Sequence, residues 1–325
     1  MPSVSDWKVA ETAQPKREDY SYDLDAALAS MVSIRSLIPA DAFTAQTLGT
    51  ERTGHGVLIG KGLVLTIGYL ITEAERIWLT LSDGSAVEGH ALSYDYDTGF
   101  GLVQILSKIE MPFLSIGQSR NAKIDDHVVM GAGGGRQRSV AARVAGRQEF
   151  AGYWEYVLDE AIFTAPSHPN WGGTAMIGSK GELLGIGSLQ LEQGSSKSKK
   201  GEHLNLVVPI DLLPPILDDM MRTGRANKPA RPWLGVFSTE VEDRVVIVGT
   251  AERGPAHRAD LQAGDVVLAV ADSEVNDLAG FYRMMWSLGK AGVEVPLTIF
   301  RDGDTFDVTI NSTDRAKLLK MPRVH

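Results

Sequence analysis

From Thr53 to about Pro209 the chain repeats one pattern: a short run of β-branched and apolar residues, a turn, then another such run. Gly56-Val57-Leu58-Ile59 and Leu63-Val64-Leu65-Thr66 flank Gly60-Lys61-Gly62, a hairpin signature. Arg76–Leu81 and Ala86–Leu92 flank a second turn, Ser82-Asp83-Gly84-Ser85. Gly101–Ile105, Asp126–Met130, Ser139–Val144 and Trp154–Leu158 read as further strands. Side chains that alternate every second residue cannot close a helical core. Many short strands without a long helix therefore predict an all-β barrel region.

The flanks read differently. Residues 1–30 form a polar N-terminal arm, in which Trp7, Tyr20 and Tyr22 mark sites for docking on the body or on another subunit. Asp23 is placed to cap a short helix from Leu24 to Ser30, and Met31-Val32-Ser33-Ile34 is a first strand. Gly194 to Lys200 is a solvated loop by composition. Asp211 is placed to cap a helix over 211–221, with Gly224 ending it. The expected division is an arm over 1–30, a barrel domain over 31–222, a linker over 223–231, a second domain over 232–312 and a tail over 313–325. In the second domain Phe281–Leu288 reads as a helix with Phe281, Met284, Met285 and Leu288 on one stripe. An Asp302-Gly303 turn closes a final hairpin.

Composition narrows the function classes. A net charge of −9 argues against general binding to nucleic acid or to an anionic membrane. The chain has no cysteine, so disulfides, thiol chemistry and cysteine metal sites are excluded. No His or carboxylate cluster has a recognisable metal spacing, and neither a metal nor a cofactor is expected. No apolar run reaches the roughly 20 residues of a membrane helix. The start, Met1–Lys8, lacks the basic-then-apolar pattern of a signal peptide, so a cytoplasmic location is expected. Gly131-Ala132-Gly133-Gly134-Gly135-Arg136 resembles a phosphate loop but lacks the Lys-Ser/Thr ending, and reads instead as a loop after a strand.

Several stretches, in order, resemble the HtrA (DegP-like) family. They are Gly54-His55-Gly56-Val57, Leu63–Ile71, Leu81-Ser82-Asp83-Gly84, Asp95–Val103 and Gly181–Ile186, with a PDZ-like unit behind them. The resemblance implies a mostly β chain: a trypsin-like double β-barrel followed by a small α+β PDZ domain. It also implies protein quality control. The catalytic positions depart from the family. Its histidine falls on Tyr69, its aspartate on Gly99 and its serine on Trp171, within Ser167-His168-Pro169-Asn170-Trp171-Gly172-Gly173-Thr174. Serine hydrolysis needs a hydroxyl, a base and an orienting carboxylate. None stands at those positions. Pro169 replaces a glycine whose N–H would help stabilise an oxyanion, and proline has no N–H. No catalytic residue is therefore assigned. The alternative is an active endopeptidase with a rearranged site, for which Ser167 and His168 are the pair to test.

The PDZ resemblance implies capture of peptides or unfolded-protein C-termini by strand addition. Trp233-Leu234-Gly235-Val236 would hold the carboxylate, Val236-Phe237-Ser238 would pair with the added strand, Phe281 and Met285 would line the groove, and Arg231 would assist. Homo-oligomers (trimers by resemblance) or an active HtrA paralogue are the implied protein partners.

Overall fold

A computed structural model describes residues 7–193 and 202–320. The loop predicted over 194–200 lies outside the described residues. The described chain divides into two compact units. The second is Glu149–Asp159 together with Lys228–Leu319, and the remaining described residues form the first.

In the first unit, two six-stranded sheets close into barrels. The first contains β1 (Met31–Leu37), β2 (Glu51–Gly60), β3 (Leu63–Ile67), β4 (Arg76–Thr80), β5 (Ala86–Tyr94) and β6 (Phe100–Ile105), in the order β1-β2-β3-β6-β5-β4. The second contains β7 (His127–Gly131), β8 (Val140–Gly152), β9 (Tyr156–Ala165), β10 (Ala175–Ile177), β11 (Leu183–Gln193) and β12 (Glu202–Pro209), in the order β10-β11-β12-β9-β8-β7. Closure leaves no free sheet edge. The strands are buried on both faces, so consecutive residues such as Val64 and Leu65, or Leu102 and Val103, are fully buried in the first barrel, as are Val57 and Leu79. Val129, Met130, Ile162, Met176, Ile186 and Val207 are fully buried in the second.

Local signals set the flanking elements. Asp23 accepts the Ala26 N–H at 3.1 Å and caps α1 (Leu24–Leu28). Such a cap stabilises by about 1 kcal/mol. A second short helix, α2, spans Ala45–Leu48. Asp211 does not cap its helix. Its carboxylate accepts the N–H groups of Ser119 and Arg120, and α3 runs over Pro214–Thr223. The two prolines lead α3 because their missing N–H groups have no intrahelical partner there. Gly224, at φ 75°, ends it.

The arm is docked on its own second barrel. Trp7 and Ala13 pack on the core that contains Val9, Val128, Val140 and Val144, and the Val9 N–H donates to the Gln137 carbonyl at 2.9 Å.

The second unit holds a six-stranded sheet. Its strands are β13 (Val236–Val241), β14 (Arg244–Thr250), β15 (Val266–Val270), β16 (Ser273–Glu274), β17 (Glu294–Arg301) and β18 (Asp304–Asn311). Helices α4 (Pro255–Arg258) and α5 (Leu278–Ser287) complete it. Asp277 caps α5 through the Gly280 N–H, so this helix starts three residues before the predicted Phe281. The unit reaches past the predicted end at 312, since Trp233 and Thr313 exchange backbone hydrogen bonds. It also includes Glu149–Asp159, which the expected division gave wholly to the barrel domain.

Candidate functional site

Two places bear on function, one in each unit. The first lies where segments of both barrels converge. Tyr69, Gly99 and Trp171, the residues that the resemblance sets at the catalytic positions, come together there. Gly68, beside Tyr69, donates its N–H to the Gly99 carbonyl at 2.7 Å. A Cβ added to Gly172, beside Trp171, would sit 2.7 Å from the Tyr69 hydroxyl. That hydroxyl donates to the Ser188 carbonyl at 2.8 Å. Burial pushes the Tyr69 pKa up, and a hydrogen bond with the Trp171 side chain opposes this by less. The phenol is therefore a neutral, engaged donor rather than a base. Gly99 adopts φ 85°, in the left-handed region.

A residue that the sequence reading missed fixes this arrangement. Arg52 is buried, and its Nη1 donates to the carbonyls of Tyr69 at 2.7 Å and Thr72 at 3.1 Å. Its Nη2 donates to Thr44 Oγ1 at 2.7 Å. Burial lowers its pKa to about 10. Nothing local in the sequence marks a strand arginine for this role, because the Tyr69 and Thr72 carbonyls it holds lie 17 and 20 residues away.

The turn at 167–174 directs its polar groups inward. The Asn170 N–H donates to His168 Nδ1 at 3.1 Å, and His168 Nε2 lies 2.6 Å from the Arg138 carbonyl. Nδ1 is thus the acceptor and Nε2 the donor, which sets the tautomer. Ser167 Oγ accepts from Gln190 Nε2 at 2.8 Å rather than meeting the neighbouring imidazole. Gly173 donates to the Gly187 carbonyl at 2.8 Å, and the Thr174 N–H and Oγ1 both donate to the Trp171 carbonyl. Pro169 and Asn170 form the exposed crest of the turn.

Behind the turn, Trp7, His55 and His168 form a ring cluster. Their centroids lie 5.6 to 6.3 Å apart, with the Arg138 guanidinium 5.3 Å from the Trp7 centroid. His55 Nδ1 accepts the Gly133 N–H at 3.2 Å. Burial, with His168 and Arg138 nearby, lowers the His55 pKa to about 3, so the ring is neutral. Within the Gly131–Arg136 stretch, Gly131 ends β7 and residues 132–135 form the loop that supplies this donor.

The second place is the PDZ loop. Gly235 takes φ 79°, and a Cβ there would lie 2.8 Å from the Trp233 ring, so glycine is required. The loop's N–H groups converge on one carboxylate, that of Glu155. Leu234 donates to both oxygens (3.3 and 3.1 Å), Gly235 to Oε1 at 2.6 Å and Val236 to Oε1 at 2.9 Å. The Ser238 N–H donates to the Tyr153 carbonyl at 2.8 Å, on the side of β13 where an added strand would pair.

The predicted groove is therefore covered. Trp233, Leu234, Val236 and Ser238 are buried. Phe237 is half-buried, its ring 5.9 Å from that of Tyr153. Phe281 and Met285 are fully enclosed in a core that Val157 helps to complete, so neither lines an open channel. Arg231 lies over the Trp286 ring at 4.3 Å, and the cation whose charge acts on Glu155 is Arg315. The sequence reading missed Glu155 and Arg315 because each sits about 80 residues from the loop it serves. Trp154–Leu158 reads as one strand, whereas residues 153–155 form the turn between β8 and β9.

Among the described residues no group of three or more His, Cys, Asp or Glu is placed to hold a metal ion, and no helix is long and apolar enough to cross a membrane.

Comparison with known proteins agrees with both units. A trypsin-like peptidase domain model matches residues 54–186, and a PDZ domain model matches 232–311. The serine endoprotease DegS of Haemophilus influenzae is 27% identical over 294 residues, covering 85% of this chain and 81% of that protein. A protein of Pseudomonas putida described as a probable periplasmic serine endoprotease DegP-like is 26% identical over 282 residues. That match covers 81% of this chain but 56% of the relative, so the chain spans about half of its length. Among solved structures, the HtrA-type protease AlgW with decapeptide superposes with a TM-score of 0.54 at 19% identity, covering 92% of this chain and 98% of that one. A serine endoprotease from Yersinia pestis gives 0.51 at 20% identity, covering 89% and 95%. The chain therefore carries a trypsin-like peptidase domain followed by a PDZ domain, and over most of its length it is similar to the HtrA/DegP-like serine endoproteases.

Proposed function

We propose that this chain is an HtrA-family pseudoprotease: it does not hydrolyse peptides and acts as a peptide-binding scaffold or regulator in protein quality control. One observation carries the reading. Tyr69, which takes the place of the family's base, is a hydrogen-bond donor to Ser188 with its pKa pushed up by burial. A phenol in that state cannot accept a proton from a nucleophile. Trp171 has no hydroxyl, and Pro169 lacks the N–H that an oxyanion would use. The rearranged pair is also poorly supported: Ser167 Oγ accepts from Gln190, and both nitrogens of His168 have backbone partners. For binding, the support is that the PDZ loop already holds a carboxylate on three N–H groups.

A fluorophosphonate probe and an unfolded casein substrate test the loss of hydrolysis. Neither labelling nor cleavage is expected. Labelling of the purified protein that disappears in Ser167→Ala would establish the rearranged endopeptidase instead. Trimerisation and association with an active HtrA paralogue belong to the same proposal, as does the cytoplasmic location. Sedimentation, co-purification from the native cell and cell fractionation test them.

A further inference from the structure

The PDZ loop holds a carboxylate in the manner of a bound ligand, but the carboxylate comes from the same chain. Glu155 supplies it, and the backbone of Tyr153 supplies the acceptor that pairs with Ser238 of β13. Carboxylate capture and one backbone hydrogen bond on the free side of β13, both elements of C-terminal peptide recognition, are supplied by the turn 153–155. Glu155 adopts φ 60° there, a conformation disfavoured for a residue with a side chain. Contacts elsewhere must therefore hold it. The four hydrogen bonds from the loop are those contacts. The ends of the segment are held as well. Arg283, on α5, bridges Glu149 and Asp159, each at 2.5 Å, through largely exposed side chains that water can separate.

We propose that the turn Tyr153-Trp154-Glu155 is an internal ligand of the PDZ groove, and that capture of an external C-terminus requires its release. The inference rests on the peptide-capture reading above and adds its regulation. If the docked turn dominates, apparent affinity for a peptide falls by the fraction of chains with a free groove.

The full chain is titrated with a fluorescein-labelled decapeptide that has apolar residues at its last three positions and a free C-terminal carboxylate. The same peptide with an amidated C-terminus is the control. Glu155→Ala is expected to bind the free-acid peptide about tenfold more tightly than wild type or better, the scale of losing hydrogen bonds to a charged group. The amidated peptide should bind weakly to both. Hydrogen exchange at the Leu234, Gly235 and Val236 amides should accelerate in Glu155→Ala. Arg283→Glu, a change on an exposed side chain, should shift affinity in the same direction by about threefold, and it carries the test if Glu155→Ala does not fold. Equal affinity of wild type and folded variants for the free-acid peptide would overturn the internal ligand while leaving peptide capture intact. Fast exchange of the loop amides with no binding in any variant would overturn peptide capture, and the internal ligand with it.

Discussion

The turn at 167–174 and the loop at 233–236 carry the two halves of the proposed function, and their polar groups are engaged by different means. At the turn, the proposed function rests on residues that differ from the family pattern within their own segments: Tyr69 bonds Ser188, Pro169 has no N–H, and Trp171 has no hydroxyl. At the loop, every donor is intact and is met by a residue about 80 positions away in sequence. Replacement is permanent, whereas occupancy is an equilibrium. Mutations at the turn should therefore cost stability without gaining an activity. Mutations at the loop's occupant should cost less and uncover binding.

The largest effect is expected at Gly173. Its φ is 78°, and an added Cβ would lie 1.8 Å from the His55 carbonyl oxygen. Gly173→Ala should destabilise by about 4 kcal/mol or more, read as a large fall in Tm or failure to fold. A stable Gly173→Ala variant would show that the turn is more adaptable than this contrast allows.

The next effect is pH dependence at the loop. Burial raises the Glu155 pKa from 4.5 to about 7, against the lowering effect of the loop N–H groups and of Arg315. Tyr282 is the other titratable neighbour, and its own pKa is raised by burial, so it stays neutral. The folded state thus holds the Glu155 proton more tightly than the unfolded state. That contribution is fully present below about pH 4.5 and is lost as pH rises through about 7. Its size is on the order of 3 kcal/mol. His55 acts in the opposite sense, since its folded pKa is lowered to about 3 and acidification below about 6.5 destabilises. Comparing wild type with Glu155→Gln isolates the first contribution. The difference in their unfolding free energies should change steadily between about pH 4.5 and about pH 7, and a constant difference would contradict the assignment.

Smaller effects return to the turn. Arg52→Lys should cost about 2 kcal/mol, because an ammonium cannot span the acceptors on Thr44, Tyr69 and Thr72 together. Tyr69→Phe should cost about 1 kcal/mol through the Ser188 bond and leave peptide binding unchanged. Chemical denaturation measures both. A gain of peptide binding in Tyr69→Phe would break the separation between the two places.

The parts of the molecule legible in sequence are those specified by neighbours in the chain. Asp23 capping α1, the turn after Gly60, the Gly235 loop and the Gly224 helix end all follow from residues within one turn of each other. The family motifs added the barrel pair and the PDZ domain. What remained hidden depends on partners far apart. Asp211 looks like a cap, yet its carboxylate is used 92 residues away at Ser119. Glu155 looks like a strand residue until the Leu234–Val236 amides are brought to it. Phe281 and Met285 show an apolar stripe in sequence, but periodicity alone does not distinguish a groove wall from a core.

The docking of Trp7 has a consequence in time. Its ring rests against His55 and His168, and the neighbouring Val9 pairs with Gln137, so the first described residue is completed by residues made much later. During synthesis the arm must wait unpaired while more than a hundred residues follow it, and it can settle only when the second barrel closes. Its indole is thus a natural optical clock for that last closure, readable in a refolding experiment with the other five tryptophans replaced by phenylalanine.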